Sequence, residues 1–408
     1  MKSVSEYIKE NIDKTIIENK ENDGSLLGLP KPYTVPCAEE SGRFRELYYW
    51  DTYFTNIALI ALGKIEQAKN NTDDILYLIN IYGFMPNGNR TWYLNRSQPP
   101  FSWLMVNDVF KNTGDKGWLE SSFKILKKEY SFWQTKRLGA NGLNIYRGNN
   151  DLSSWEISEL SKDFENRTGT KDICNRTDDE RLKIAQTVMT FVESGWDCCS
   201  RFGTDGYSVN PIDLNSLLYG FELKMSEFSV ALSNGEEKKW SSLAELRKQK
   251  MDKYMLDRAT GIYMDYNFST GKISRILSAA SLYPMFVGLS VDRECTTKII
   301  NSLFLKYGVS ASNNRDKNAH FQWDYPNIWP PLQYISYIAC KNTGCDDLAD
   351  EIAARYIHLI DINFEKTGNL WEKYDGNTGT VSNYEYNSPP MMGWTAGAYE
   401  YFKLDVRF

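Results

Sequence analysis

Two acidic side chains of the sequence stand beside tryptophans in otherwise polar segments. Asp197 follows Trp196 in the run ESGWD, and Glu372 lies between Trp371 and Lys373. A carboxyl group buried beside apolar rings tends to keep its proton near neutral pH, because burial disfavours the charged form. One protonated carboxyl and one carboxylate are the groups that cleavage of a glycosidic bond requires. From the residues alone, a surface or helix-capping side chain is the simpler interpretation of each of the two.

Three further segments combine aromatic rings with arginine, asparagine or carboxylate side chains. They are 42–51 (GRFRELYYWD), 86–100 (PNGNRTWYLNRSQPP) and 322–331 (QWDYPNIWPP). Flat rings can pack against the C–H faces of a sugar, while neighbouring polar groups bond its hydroxyls. The chain has 12 Trp and 26 Tyr, a total that a large core could also explain. The placement of the rings beside polar groups suits a carbohydrate ligand, and composition does not decide between that and a large aromatic core.

Composition excludes several classes of function. The net charge is −6 and the isoelectric point about 5.3, which disfavours nucleic acid and anionic membranes as partners. The chain has only two histidines, His320 and His358, so a site with several histidine ligands is excluded and no metal is predicted. No stretch approaches the roughly 18 apolar residues of a transmembrane helix.

The amino-terminal residues and the cysteines suggest a compartment. Residues 1–14 (MKSVSEYIKENIDK) contain no apolar run of the kind found in signal peptides. The seven cysteines show no CxxC spacing, and we interpret them as free thiols of a reducing environment. We therefore expect a cytoplasmic protein.

Helical periodicity dominates the chain. In 116–137, large apolar residues recur at spacings of four and three, which places them on one helix face. Thr72, followed by two aspartates, predicts the start of a second helix over 72–82. Further helices are predicted over 4–19, 50–69, 101–113, 181–194, 212–232, 236–256, 279–290, 293–306, 328–341, 346–362 and 391–403.

The loops between these helices carry the polar and aromatic clusters. The long loops are predicted over 83–100, 138–180, 307–327 and 363–390, and function tends to lie in such segments. We find no low-complexity linker and no repeat of residues. A single helical domain over 1–408 is the simplest organisation.

The clusters resemble those of the trehalases, glycoside hydrolase family 37. The run GRFRELYYWDTYF resembles the first signature of that family, and QWDYPNIWPP resembles the second. The runs PNGNRTWYLNRSQPP, ESGWD, PIDLNSLL (211–218) and EKYD (372–375) are also similar to trehalase segments, in the family's order. The resemblance covers about residues 29 to 400. It implies an all-α fold, the (α/α)6 barrel or toroid, in which six outer helices surround six inner ones.

The same resemblance implies the reaction and its residues. Trehalases hydrolyse the disaccharide α,α-trehalose to two glucose molecules with inversion and without a cofactor. Asp197 would be the general acid and Glu372 the base that activates water, with the carboxyl groups about 6.5–9.5 Å apart. The substrate-binding residues that it implies are Arg43, Phe44, Tyr48, Trp50, Asp51, Asn87, Arg96, Gln98, Gly195, Trp329 and Glu385.

Some segments depart from the family pattern. Trehalases usually carry an Arg-Pro-Glu-Ser-Tyr run before ESGWD, and the nearest equivalent here is RTDDE at 176–180. We include Arg176 among the substrate-binding residues as a substitute, with Arg147 and Glu156 as rivals. The family's glycine-rich stretch is replaced at 376–384. These departures lie on the side of the leaving sugar, whereas both proposed catalytic carboxylates are intact.

Three alternatives stay open from the sequence. A related inverting α-glycosidase could act on glucosylglycerate, mannosylglycerate or another small α-glucoside, because 147–180 and 376–384 differ from trehalases. Sugar epimerases and isomerases share the toroid but use histidines as acid and base, and this chain has two. A non-catalytic sugar-binding protein is the third, and retention of both Asp197 and Glu372 argues against it.

Overall fold

The computed structural model describes residues 2–37, 44–149, 152–316, 321–383, 387–390 and 392–405. Its helices are α1 (Val4–Asn11), α2 (Tyr49–Ala61), α3 (Ile65–Tyr82), α4 (Ser102–Thr113), α5 (Lys116–Lys136), α6 (Ser154–Thr168), α7 (Asp178–Ser194), α8 (Ile212–Leu232), α9 (Glu237–Tyr254), α10 (Tyr283–Phe286), α11 (Arg293–Leu303), α12 (Pro330–Asn342), α13 (Asp346–Thr367) and α14 (Gly393–Asp405). The strands have two residues each: β1 (Ile16–Ile17), β2 (Tyr33–Thr34), β3 (Val209–Asn210), β4 (Tyr266–Asn267), β5 (Lys272–Ile273), β6 (Phe304–Leu305), β7 (Gly308–Val309), β8 (Asn327–Ile328) and β9 (Tyr374–Asp375).

The helices form two concentric rings. Helices α2, α4, α8, α10, α12 and α14 make the inner ring, since each packs on the next and α14 returns to α2. Helices α1, α3, α5, α9, α11 and α13 alternate with them along the chain and pack outside. This arrangement confirms the predicted (α/α)6 toroid. No helix of the described residues is long and apolar enough to cross a membrane.

Inner-ring helices are buried on nearly all sides, which explains their apolar sequences. In α2, ten of the eleven positions from Tyr49 to Leu59 are buried, all except Asp51. Helix α14 lies so close to α2 that a β-carbon at Gly397 would overlap the carbonyl oxygen of Phe54. A helix that is buried all round has its place fixed by such contacts.

Between α5 and α8, helices α6 and α7 form a pair outside the alternation of the two rings. They pack on each other, and Phe164 stacks on Phe191 with ring centroids 6.1 Å apart. The prediction of a loop over 138–180 is therefore wrong for 154–168. Only three residues of α6 are buried, so its apolar periodicity is weak. Its capping box between Ser153 and Glu156 was the available signal.

The predicted boundary between a helix over 50–69 and a second helix over 72–82 is also wrong. The chain breaks at Gly63, whose φ of 74° is a left-handed conformation, and α3 then runs on to Tyr82. Thr72 and Asp74 are buried inside α3, where the Asp74 carboxylate accepts a hydrogen bond from the Lys31 backbone N–H. The polar run at 72–74 thus serves tertiary contacts and does not cap a helix.

A substitution at Gly397 tests the packing of the inner ring. We expect Gly397→Ala to lower the free energy of unfolding by about 1–3 kcal/mol, because the methyl group overlaps the Phe54 backbone. Urea unfolding followed by circular dichroism measures this change. Gly117→Ala on the exposed face of α5 is the matched control, since its nearest neighbour would lie at 3.5 Å. Equal stability of the two variants would contradict the packing described.

Candidate active site

One end of the toroid holds a cavity of about 270 Å³. The first turns of α2 and α14 contribute to its wall, together with the loops that precede α4, α12 and α14 and the end of α7. Its lining is polar and aromatic. The lining residues are Pro36, Phe44, Tyr48, Trp50, Asp51, Asn87, Tyr93, Arg96, Gln98, Val192, Gly195, Asp197, Gln322, Trp323, Trp329, Glu372 and Trp394.

Asp197 enters the cavity just after α7. The helix ends at Gly195, whose φ of 72° reverses the chain in the left-handed region. Burial raises the pKa of Asp197 to about 6, while the Arg167 and Arg96 guanidinium groups act to lower it. The Glu372 carboxylate acts to raise that pKa further. A carboxyl group in this environment can hold a proton close to neutral pH.

Glu372 lies on another wall and is held through its backbone. Its N–H donates to the Pro389 carbonyl at 3.2 Å, and its carbonyl accepts from Trp394 Nε1 at 3.1 Å. The side chain forms an ion pair with Lys373, whose Nζ lies 3.3 Å from Glu372 Oε2. Lys373 is fully buried, and its Nζ lies 5.4 Å from the centre of the Trp329 ring. Two hydrogen bonds therefore hold the Glu372 backbone, and the Lys373 ammonium group holds its carboxylate.

A stack of tryptophan rings connects the two carboxylates. Trp196, the neighbour of Asp197, stacks on Trp323 at 5.3 Å, and Trp323 stacks on Trp329 at 3.9 Å. Trp329 meets Trp394 edge to face at 5.7 Å. All four rings are buried. Offset and edge-to-face contacts of this kind hold ring positions closely.

The segment before α4 supplies amide and guanidinium groups. The Asn87 N–H donates to the Arg96 carbonyl at 3.1 Å, and Gln98 Oε1 accepts from the Trp50 N–H at 3.2 Å. The Arg96 guanidinium lies 4.8 Å from the centre of the Tyr93 ring. These contacts link the segment to α2 and orient it along the cavity.

Glu193 anchors three pieces of this wall from behind. It is fully buried and forms an ion pair with Arg137 at 2.8 Å. Its two oxygens also accept the N–H of Ser97 at 2.8 Å and the N–H of Arg147 at 2.7 Å. A buried charge satisfied by a cation and two amides fixes all the groups that contact it.

Asp51 is a third carboxyl group in the cavity, in the first turn of α2. Burial, together with the charges of Glu372 and Asp197, raises its pKa to about 7. Tyr48 lies beside it, with its hydroxyl 3.3 Å from the Tyr93 hydroxyl. The Glu372 charge acts on both Asp51 and Asp197, so the carboxyl groups of this cavity influence one another.

The structure brings most of the sequence-predicted site residues together. Ten predicted residues besides Asp197 reach the cavity; Arg43 and Glu385 lie outside the described residues. Those in the cavity are Phe44, Tyr48, Trp50, Asp51, Asn87, Arg96, Gln98, Gly195, Trp329 and Glu372. Arg176 does not reach it: the residue is exposed and precedes Thr177, which caps α7. The run RTDDE is thus a helix start, because Thr177 and Glu180 form a capping box.

Arg147 and Glu156, the two alternatives to Arg176, do not line the cavity either. Glu156 completes the capping box of α6 with Ser153. Arg147 is half-buried, and its backbone N–H is bound to Glu193. Arg90, in the segment 86–100, forms a salt bridge with Glu46.

Sequence reasoning missed six lining residues. Tyr93, Gln322 and Trp323 lie inside the polar and aromatic runs and could have been predicted, and Trp394 lies in the predicted helix over 391–403. The others, Pro36 and Val192, gave no signal because isolated apolar residues resemble core residues. Among the described residues, no group of three His, Cys, Asp or Glu side chains is placed to hold a metal ion.

Comparison with known proteins identifies the family. A sequence model described as Trehalase matches residues 1–405. The chain belongs to the trehalase family. It is 33% identical over 392 residues to a periplasmic trehalase of Xanthomonas campestris, covering 91% of this chain and 68% of that protein. A periplasmic trehalase of Pseudomonas aeruginosa is 33% identical over 401 residues, covering 91% and 71%.

Solved structures agree with this family assignment. The neutral trehalase of Saccharomyces cerevisiae has a TM-score of 0.77 and 25% identity, over 100% of this chain and 80% of that one. A family 63 mannosylglycerate hydrolase of Thermus thermophilus has a TM-score of 0.64 and 13% identity, over 98% and 99%, and shows the fold alone. The chain is a glycoside hydrolase of the trehalase type, and trehalose hydrolysis is the activity of that family.

The cytoplasmic location expected from the sequence is wrong. The curated relatives are named periplasmic trehalases. The expectation used free thiols as a sign of a reducing compartment, yet six of the seven cysteines are buried. Burial protects a thiol in any compartment, so free cysteines did not carry that conclusion.

A substitution at Gly195 tests how the Asp197 turn is built. A β-carbon there would lie 2.9 Å from Trp50 Cε2 and would require a left-handed backbone. We expect Gly195→Ala to reduce kcat/KM for trehalose strongly, since Trp50 and Asp197 must both shift. Gly114→Ala, at the left-handed end of α4 with open space around it, carries the same backbone strain without the ring contact. Equal activity losses in the two variants would refute the contact as the cause.

Proposed function

We propose that this protein hydrolyses α,α-trehalose with Asp197 as the general acid and Glu372 as the general base. The observation that carries the proposal is the pairing of these two carboxyl groups in one cavity. Burial raises the pKa of one of them to about 6, which suits a proton donor. The other is ion-paired with a buried lysine, which suits a carboxylate that accepts a proton.

The proposed reaction is a single displacement. The protonated Asp197 carboxyl gives its proton to the glycosidic oxygen as the bond from that oxygen to the anomeric carbon breaks. Glu372 takes a proton from a water molecule, whose oxygen attacks the anomeric carbon from the opposite face. One glucose leaves with its configuration kept, and the other is released with its configuration inverted. Solvent then returns a proton to Asp197 and removes one from Glu372.

The remaining lining groups suit the binding of a sugar. Asp51, Arg96 and Gln98 can bond hydroxyl groups, since carboxylates accept and guanidinium groups donate. Trp50 and Trp329 offer apolar ring surface to the C–H faces of a pyranose. Phe44, Tyr48 and Asn87 also line the cavity and are proposed as further contacts of the sugar. Arg176 is exposed and is not proposed as a contact.

A glucosylglycerate or mannosylglycerate hydrolase has no specific support. The likeness to the mannosylglycerate hydrolase is at 13% identity and reports the fold. The single catalytic domain over 1–408 stays a prediction. The names of the relatives favour the periplasm as the compartment of this protein.

Two variants assayed on two substrates separate the proposed roles. On trehalose we expect Asp197→Asn and Glu372→Gln each to lower kcat by about 10²–10⁴-fold. On α-glucosyl fluoride we expect Asp197→Asn to retain most of its turnover, because fluoride leaves without being protonated, whereas Glu372→Gln stays inactive. Release of glucose and fluoride measures both reactions.

Asp51→Asn is the discriminating control in that experiment. Burial raises the pKa of Asp51 to about 7, so Asp51 is the rival candidate for the acid. If it were the acid, Asp51→Asn would retain turnover of the fluoride and lose turnover of trehalose. That pattern would overturn the assignment to Asp197. Absence of trehalose turnover by the unmodified protein would overturn the proposed function itself.

A further inference from the structure

Gln322 has an amide side chain whose oxygen lacks a hydrogen-bond partner among the described residues. The residue lines the cavity and is 2% exposed. Its Oε1 is buried, and no described group donates to it. The great majority of buried polar groups in folded proteins are hydrogen-bonded, so an exception needs an explanation. A ligand in the cavity can supply the bond that the protein does not.

The other amide side chains that line the cavity, those of Asn87 and Gln98, differ in this respect. Gln98 Oε1 accepts from the Trp50 N–H at 3.2 Å, and Asn87 Nδ2 donates to the Val192 carbonyl at 3.4 Å. Both amides therefore connect parts of the protein. A buried amide group that is left unpaired costs stability. Folding alone thus gives no reason for an amide at position 322.

The backbone at Gln322 is held from two sides. Its carbonyl accepts from Trp329 Nε1 at 3.1 Å and from Asn327 Nδ2 at 2.8 Å. The N–H of the next residue, Trp323, donates to the Cys198 carbonyl at 2.9 Å. Because these three bonds fix the backbone, the side chain of Gln322 extends into the cavity from a fixed point.

The same bonds connect Gln322 to the segments that carry the proposed acid and base. Cys198 directly follows Asp197 in the chain. The Trp329 ring contacts Lys373, which pairs with the base. In the proposed reaction the bond that breaks lies between acid and base. Gln322 therefore lies next to the reacting part of the substrate.

Burial indicates which of the two sugars Gln322 meets. Gln322 and Glu372 are buried, whereas Asp197, Tyr93 and Arg96 are partly exposed. The base thus lies toward the closed end of the cavity, and the acid lies toward its opening. Water on the base attacks the sugar on that side, and the leaving sugar lies beyond the acid. Gln322 therefore belongs with the sugar that is attacked.

We propose that the Gln322 amide binds a hydroxyl group of the first glucose, the sugar whose anomeric carbon is attacked. The proposal rests on the proposed function and adds a determinant of specificity to it. An amide has an acceptor and a donor, and a half-turn of its plane exchanges the two, so it can pair with a hydroxyl in either sense. A sugar without that hydroxyl leaves the amide buried and unpaired, so the site binds it less well.

Gln322→Met tests this contact, because methionine has about the length of glutamine and lacks the amide. We expect kcat/KM to fall by roughly 10- to 100-fold on both trehalose and α-glucosyl fluoride, since the two substrates share the first glucose. We expect the variant to bind 1-deoxynojirimycin, a glucose-shaped iminosugar, more weakly by a similar factor. Isothermal titration calorimetry measures that binding without any turnover.

Thermal stability separates a ligand contact from a structural role. Removal of an unpaired buried amide should leave the unfolding midpoint of Gln322→Met unchanged or higher. Gln333→Met is the matched control, since Gln333 is fully buried and its amide bonds both the N–H and the carbonyl of Val309 at 2.7 Å. We expect that variant to have a lower midpoint, because the Val309 groups lose their partner.

Any of three results would overturn the role of Gln322. The first is a loss on trehalose with the fluoride spared, which would assign the contact to the leaving sugar. The second is iminosugar binding by Gln322→Met as tight as that of the unmodified protein. The third is a fall of its unfolding midpoint as large as that of Gln333→Met. Absence of trehalose turnover by the unmodified protein would instead overturn the proposed function, and iminosugar binding would still test Gln322.

Discussion

The site depends on the stacked tryptophans that lie between its two carboxyl groups. Trp196 precedes Asp197 in the chain and stacks on Trp323, which in turn stacks on Trp329. The Trp329 ring contacts Lys373, the residue that pairs with Glu372. Rings packed at 3.9–5.3 Å leave little freedom for sliding, so the separation of the carboxyl groups is set by the core. An enzyme that must admit one water between acid and base needs a spacing of this rigidity.

The same burial that fixes the acids also raises the pKa values of two of them, Asp51 and Asp197. Asp51 and Asp197 are raised in pKa mainly by loss of hydration, whereas Glu372 keeps a buried ammonium at 3.3 Å. The guanidinium cations of Arg167 and Arg96 limit the rise in the pKa of Asp197. The inner ring provides the apolar surroundings, and the loops at its open end provide the charges. The inner-ring helices thus determine the fold around the site, and the loops at their open end supply its chemistry.

Much of this arrangement could be predicted from the sequence, because the ring helices bury broad apolar faces and the cavity residues lie in runs with an unusual mixture of rings and amides. The sequence could not show which residues lie close together in the folded chain. Helix α6 buries only three residues, so its sequence predicts a loop and gives no sign that the charge of Arg167 acts on Asp197. Arg176 was chosen by its order in the chain, yet its segment is used to begin α7. Glu193 looked like part of a motif, and its role in tying Ser97, Arg137 and Arg147 together depends on contacts distant in sequence.

The stereochemistry of the products tests the central claim most directly. Proton NMR of the anomeric region, recorded in the first minutes of trehalose hydrolysis and before mutarotation, resolves α-glucose from β-glucose. A single displacement by water held on Glu372, with Asp197 as proton donor, predicts equal initial amounts of the two anomers. Appearance of α-glucose alone would contradict the account, because it would require a second displacement at the anomeric carbon.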